Sequence, residues 1–367
     1  MTEARPLVPG AVIGILGGGQ LGRMLAMAAA RLGFETHIFS PDPQSCALDV
    51  VRRSTLADYA DEAALDGFAR QVDLITYEFE NVPADAATYL ASRRPVVPDP
   101  AVLATTQDRL VEKDFIAALG IATAPYTRAD SPGELARAIE KIGRPAVLKT
   151  RRFGYDGKGQ FTIRAGGDLE AAWRGIGGRP AILESFIDFE REISVVAARE
   201  RGGRVECFDV TENEHRDHIL KTSRVPALVS PAIADAAQAI AGMIAQAFDY
   251  VGVLAVEMFV PRAGAGETPV LVNEIAPRVH NSGHWTLDGA SVSQFEQHIR
   301  AIAGWPLARP ERRGRIEMTN LIGDEVEQYA HWLAEPHASV HLYGKAQVRP
   351  GRKMGHVTCV SPDPAAR

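Results

Sequence analysis

The apolar run Ala11–Gly18, AVIGILGG, ends in glycines and passes directly into QLGRMLAMAAARLG, whose apolar residues recur at helical spacing up to Gly33. A buried strand that turns through glycine into a helix returns to its own sheet by a crossover. The opening therefore commits the chain to a parallel sheet covered by helices. FETHIFS and DLITYEF read as two further strands, a helical stretch lies between them at 60–69, and RRPVVPDP closes the unit near residue 100.

The next stretch has a different rhythm. TTQDRLVEKDFIAALG and SPGELARAIEKIG read as helices ending in glycine, the second opened by a Ser-Pro-x-Glu start signal. The strand PAVLKT leads into the glycine-rich RRFGYDGKGQ and on to FTIRA. AILESFI, REISVVAAR and CFDVTEN read as strands and SPAIADAAQAIAGMIAQAF as a long amphipathic helix. GVLAVEMFV and PVLVNEIAP are strands joined by the turn RAGAGET, and SVSQFEQHIRAIAG is a helix. Short strands and turns follow from about 306, a small appended unit. The expected domains are 1–104, 105–305 and 306–367.

Apolar residues make up 46% and charged residues 23% of 367, enough to bury a large core. The net charge of −6 argues against nucleic acid or an anionic membrane as partner. No apolar run is long enough for a transmembrane helix, and MTEARPLVPG does not read as a signal peptide. Cys46, Cys207 and Cys359 lie far apart, which fits a reducing cytoplasm and neither a disulfide scaffold nor a thiolate zinc site.

Five segments carry chemistry. Gly17–Gly22 is a G-x-G-x-x-G between strand and helix, the pattern of a dinucleotide loop. The second strand ends without the acid that would hold a nicotinamide ribose, so a plain phosphate site and a structural tight turn remain open beside it. Glu78 and Glu80 alternate with aromatics at the end of the third strand, where ligands of parallel sheets gather. Lys149 ends an apolar strand, and 151–160 adds glycines and cations. Only seven of the 40 basic residues are lysines, and two of them fall here, which points to a phosphate-covering hairpin. Glu257 and Glu274 interrupt apolar strands, with Asn273 alongside; buried carboxylates are costly, and this pair suggests a hard cation bridging phosphates. Pro277–Thr286 is rich in hydrogen-bond donors and suits anion or substrate recognition, His280 and His284 being too irregularly placed for a two-histidine metal face. His218 reads as a solvated loop residue.

Taken together, the strand-end lysine, the glycine lid and the paired acidic strands resemble the ATP-grasp superfamily. Within it, GGGQLGRM, TYEFENV, RRFGYDGKGQ, FEREISVV, TENEHRDHIL, VNEIAPRVHNSGHWT and RKMGHV resemble the 5-(carboxyamino)imidazole ribonucleotide synthases. The resemblance runs in order from about 11 to 360. It implies an α/β ATP-grasp fold: a Rossmann-like N-terminal domain, a lid subdomain over about 125–187 and a small β-rich C-terminal unit.

It also implies a carbon–nitrogen ligase of purine biosynthesis that uses ATP and bicarbonate to carboxylate 5-aminoimidazole ribonucleotide through carboxyphosphate. The cofactor would be Mg²⁺ or Mn²⁺ and the assembly a homodimer. Carried over by motif, Arg109 and Lys149 would contact ATP, and Gly154, Tyr155, Asp156, Gly157, Lys158, Gly159 and Gln160 would form the lid. Glu184, Ser185, Phe186 and Ile187 would line the adenine, with Glu192 on the ribose and His215 near the nucleotide. Glu257, Glu274 and Asn273 would hold the metal. Tyr155, Asp156, Arg278, His280 and Lys353 would act on bicarbonate and the ribonucleotide, with Gly19, Gln20, Leu21, Glu78, Asn281, Ser282 and Arg352 completing that substrate site.

Overall fold

The computed structural model describes residues 5–154, 157–262 and 269–363. Among them, the N-terminal unit forms a parallel four-stranded sheet in the spatial order Arg53–Leu56, Glu35–Ser40, Val12–Leu16, Leu74–Tyr77. The helix Gln20–Arg31 buries Leu21, Met24, Leu25 and Ala29. This is the crossover topology that the opening motif demands.

The stretch read as a single helix after residue 104 is two, Pro100–Thr106 and Arg109–Ala118. Asp108 separates them because its carboxylate accepts the Leu110 N–H at 3.1 Å and so begins a new helix. The same carboxylate takes a fork of two hydrogen bonds from Arg151, at 2.9 and 2.7 Å, tying the base of the glycine segment to this helix start.

Residues 126–185 build a separate antiparallel sheet in the order Tyr126–Ala129, Ala181–Ser185, Ala146–Thr150, Gln160–Ile163. It packs its own core of Leu135, Leu148, Ile163 and Leu183 under the helices Pro132–Ile142 and Leu169–Gly175. A subdomain with a private core can shift as a body against its neighbours.

The large sheet has nine strands among the described residues. Gly252–Pro261 pairs with Leu271–Ala276 on one side and Phe189–Arg199 on the other. The stretch CFDVTEN splits into Val205–Cys207 and Thr211–Arg216, both paired with Phe189–Arg199. The C-terminal strands extend this same sheet: Arg315–Ile322 pairs with Ile219–Val225, Thr319 opposite Thr222, and Lys353–Ser361 pairs with Arg315–Ile322. That continuity places Lys353 in the same sheet as Glu257 and Glu274.

Candidate functional site

A cavity of about 690 Å³ opens where the three units meet. From the N-terminal unit it is lined by Gly19, Gln20, Leu21, Glu78 and Glu80, and from the lid sheet by Lys149, Gly154, Gly157, Lys158 and Gln160. Glu184, Ser185, Phe186, Ile187, Glu192, His215, Glu257, Asn273, Glu274, Arg278, His280, Asn281, Arg109 and Lys353 complete its wall. Tyr155 and Asp156 lie outside the described residues. Gly159, Arg352 and Ser282 do not line the cavity: Arg352 donates to the Gln347 carbonyl at 2.9 Å, and Ser282 is wholly buried behind His280.

The end of the cavity around Lys149 and Arg109 is built from charge pairs. Lys149 Nζ donates to Glu184 Oε2 at 2.8 Å. Burial alone would raise the Glu184 carboxyl, but Lys149 and Lys113 beside it hold it at about 2. Arg109 Nη1 donates to Glu274 Oε2 at 2.7 Å and Nη2 to the Gly154 carbonyl at 3.1 Å, so one guanidinium joins lid, helix and acidic strand.

Glu257 and Glu274 stand opposite one another in the ladder. His280 Nε2 lies 2.9 Å from Glu257 Oε1. Burial would raise Glu257, yet His280, His215 and Arg278 keep it well below the usual carboxylate range, at about 2. The adjacent Asn273 Oδ1 is buried without a hydrogen-bond partner. No group of three or more His, Cys, Asp or Glu is gathered as a metal site among the described residues. Two carboxylates and an unpartnered amide oxygen are nevertheless the hard donor set that suits Mg²⁺ when phosphate oxygens and water supply the rest.

The glycine loop at the other end of the cavity differs from a free phosphate loop. The Glu78 carboxylate accepts the Gly19 N–H at 2.9 Å and the Gly22 N–H at 3.2 Å, filling the start of the helix Gln20–Arg31. A Cβ on Gly17 would lie 2.6 Å from Glu78 Oε1. Burial raises the Glu78 carboxyl against the pull of these N–H groups and of Arg278. Arg278 also forms an ion pair with Glu80, which stays below its usual value because that guanidinium outweighs burial.

Some contributors carry no strong sequence signal. Glu112, buried in the helix Arg109–Ala118, accepts the Ile275 N–H at 2.7 Å, and burial with the neighbouring Glu274 charge pushes it up to about 8. Its position four residues after the capping Asp108 reads as an ordinary first-turn acid. Lys113, 1% exposed, donates to the Val272 carbonyl at 3.2 Å. His218 is exposed in a turn, as expected, and that turn reaches the cavity rim, where His218 sits against Gly157 with Nδ1 3.3 Å from Gln160 Nε2. His284 is buried in a ring stack with His356 and Phe295, apart from His280.

A small antiparallel sheet and a large sheet enclosing paired carboxylates, a strand-end lysine and the extended segment Glu184–Ile187 define an ATP-grasp enzyme. Residues 114–295 match the ATP-grasp domain, 11–107 the ribonucleotide synthetase preATP-grasp domain, and 317–367 the phosphoribosylaminoimidazole carboxylase C-terminal domain. The chain belongs to the N5-carboxyaminoimidazole ribonucleotide synthase family. It is 51% identical to that synthase of Brucella melitensis, over 97% of this chain and 98% of the relative. A crystal structure of an ADP complex of such a synthetase superposes with a TM-score of 0.94 at 37% identity, covering 99% of this chain and 95% of that one. The Aspergillus clavatus synthase in complex with ADP and 5-aminoimidazole ribonucleotide superposes with a TM-score of 0.89 at 32% identity, covering 97% and 95%.

Proposed function

We propose that this enzyme carboxylates the exocyclic amine of 5-aminoimidazole ribonucleotide, using ATP and bicarbonate and releasing ADP and phosphate. The observation that carries the reading is one cavity shared by the nucleotide elements, Glu184–Ile187 and Lys149, and by Glu78, Arg278 and Lys353. Phosphoryl transfer needs charge neutralisation and alignment more than a nucleophilic side chain. Bicarbonate oxygen attacks the γ-phosphorus, the bond to the β-bridging oxygen breaks, and carboxyphosphate and ADP form. The amine then attacks the carboxyl carbon, or CO₂ released from it, and phosphate leaves.

In this reading Arg109 and Lys149 supply positive charge to the phosphates, and Glu192 and His215 border the ribose. Glu257, Glu274 and Asn273 would hold Mg²⁺ or Mn²⁺, which when bound neutralises phosphate charge. Arg278, His280 and Lys353 present donors to bicarbonate and the ribonucleotide. Carboxyphosphate is labile in water, so closure of the glycine lid is a chemical requirement. A cytoplasmic homodimer belongs to the same reading; no helix among the described residues is long and apolar enough to cross a membrane.

ADP release measured with and without aminoimidazole ribonucleotide and bicarbonate tests it. Release should require both co-substrates. Tight Mg-ATP binding with no turnover under any combination would make the chain a nucleotide-binding protein instead.

A further inference from the structure

Behind the cavity wall runs a chain of hydrogen bonds through side chains that the reaction above does not use. Ser223 Oγ donates to Asn213 Oδ1 at 2.8 Å, and Asn213 Nδ2 donates to Ser194 Oγ at 2.9 Å. Ser194 Oγ donates to Ser282 Oγ at 2.7 Å, and Ser282 Oγ lies 2.8 Å from His280 Nδ1. The three serines are wholly buried and Asn213 nearly so. The residues sit on adjacent strands of the large sheet, Asn213 opposite Ser223 in one pairing and Thr211 opposite Ser194 in the other.

The direction of this chain is set by donor chemistry. An amide nitrogen only donates and an amide oxygen only accepts. Ser194 therefore receives the proton of Asn213 and gives its own to Ser282, which leaves the Ser282 proton for Nδ1. The Ser282 backbone N–H independently points at the same nitrogen, at 3.3 Å. Nδ1 is thus an acceptor, and the neutral ring carries its proton on Nε2, facing Glu257 and the cavity. Gln294 fixes the main chain here as well, accepting the His280 N–H at 2.8 Å and donating to its carbonyl at 2.6 Å.

We infer that Ser194, Asn213 and Ser223 are positioning residues that hold the His280 proton on Nε2, so that the cavity meets a hydrogen-bond donor at that point. The inference rests on the carboxylation reading. The Glu257 carboxylate beside Nε2 and the oxygens of bicarbonate and phosphate are all acceptors, and the opposite tautomer would meet them with a lone pair.

Asn213→Asp reverses the relay without changing its shape. A carboxylate at this position accepts only, so Ser194 turns its proton toward it, Ser282 donates to Ser194, and Nδ1 is left to donate to Ser282 Oγ, in competition with the Ser282 backbone N–H, while Nε2 still faces Glu257. Long-range ¹H–¹⁵N correlation spectra of the full-length protein at pH 8, with the His280 signals assigned through His280→Gln, read the tautomer directly. The wild type should show a proton on Nε2 and none on Nδ1, and Asn213→Asp should show a proton on Nδ1. Ribonucleotide-dependent ADP release should fall about 10²-fold, within the range that a misplaced histidine proton costs, with the KM for ATP unchanged. Ser194→Thr, which keeps the hydroxyl, should preserve both tautomer and rate.

Nδ1–H in the wild type, an unaltered pattern in Asn213→Asp, or a protonated Nδ1 in that variant with undiminished turnover would each overturn the inference. The wild-type spectrum alone decides the proton's position should the variant fail to fold. If the carboxylation reading is at fault, the wild type shows no ribonucleotide-dependent ADP release while the spectra still report the tautomer.

Discussion

Glu78 caps the helix that begins beside Gly19: its carboxylate accepts the Gly19 N–H at 2.9 Å across 59 residues of sequence. The glycine loop that resembles a dinucleotide cradle holds a side chain of its own protein where a phosphate would sit. Gly17, at φ +104°, leaves room for that carboxylate. Gly17→Ala forces an unfavourable backbone and a contact with Glu78, and should lower unfolding free energy by at least about 1 kcal/mol. Glu78→Ala leaves two helix-start N–H groups without their acceptor and should cost about 1–2 kcal/mol. Urea denaturation monitored by circular dichroism checks both, and unchanged midpoints would show that the carboxylate does not support the helix.

How far the sequence discloses this site depends on the kind of signal each residue gives. Glu257 and Glu274 stand out because carboxylates interrupt apolar strands, and they do face one another in the ladder. Lys149 stands out because lysine is rare in this chain and follows an apolar run. Ser194, Asn213 and Ser223 give no such signal, since polar residues on strands are ordinary and their meaning lies in pairings across the sheet. The same holds for the C-terminal strands. Their pattern shows β structure, but only long-range pairing with Ile219–Val225 reveals that they extend the central sheet.

Glu274→Gln removes a charge from the proposed metal site and from the Arg109 pair at 2.7 Å while keeping the shape of the side chain. Turnover should fall by at least about 10²-fold with little change in thermal midpoint. A folded variant that produces ADP at near-normal rate would remove Glu274 from the phosphate chemistry.

His298 links two units: Nε2 lies 2.9 Å from Thr76 Oγ1 of the N-terminal sheet, and Nδ1 accepts the Val253 N–H at 3.1 Å. Burial lowers its pKa to about 3. The fold therefore favours the neutral ring, and its contribution is complete above the unfolded value of about 6.5 and declines as pH falls below it. Comparing wild type with His298→Gln cancels the other titrating groups. The stability difference between them should shrink by about 1.4 kcal/mol between pH 7.5 and 5.5. Parallel pH dependences in denaturant titrations of the two proteins would show that His298 does not titrate on unfolding.

Variants of Lys353 test whether nucleotide binding and carboxyl transfer can be separated. It begins the strand Lys353–Ser361, lines the cavity, and its carbonyl accepts Lys345 Nζ at 2.6 Å. Burial and the neighbouring charges of Arg352 and Lys353 lower Lys345 to about 8, although Cys46 opposes them, so positive charge is concentrated around Lys353. Negative charge accumulates where ribonucleotide and carboxyphosphate meet, and losing a donor from such a site costs about 10²–10³-fold in rate. Loss of a surface charge costs almost nothing. Lys353→Ala should therefore bind Mg-ATP as the wild type does and lose most ribonucleotide-dependent ADP release. Lys353→Arg should restore little, because a planar guanidinium does not replace a compact ammonium. Nucleotide titration alongside a coupled ADP assay decides the matter: wild-type turnover in Lys353→Ala would take the C-terminal strands out of the chemistry.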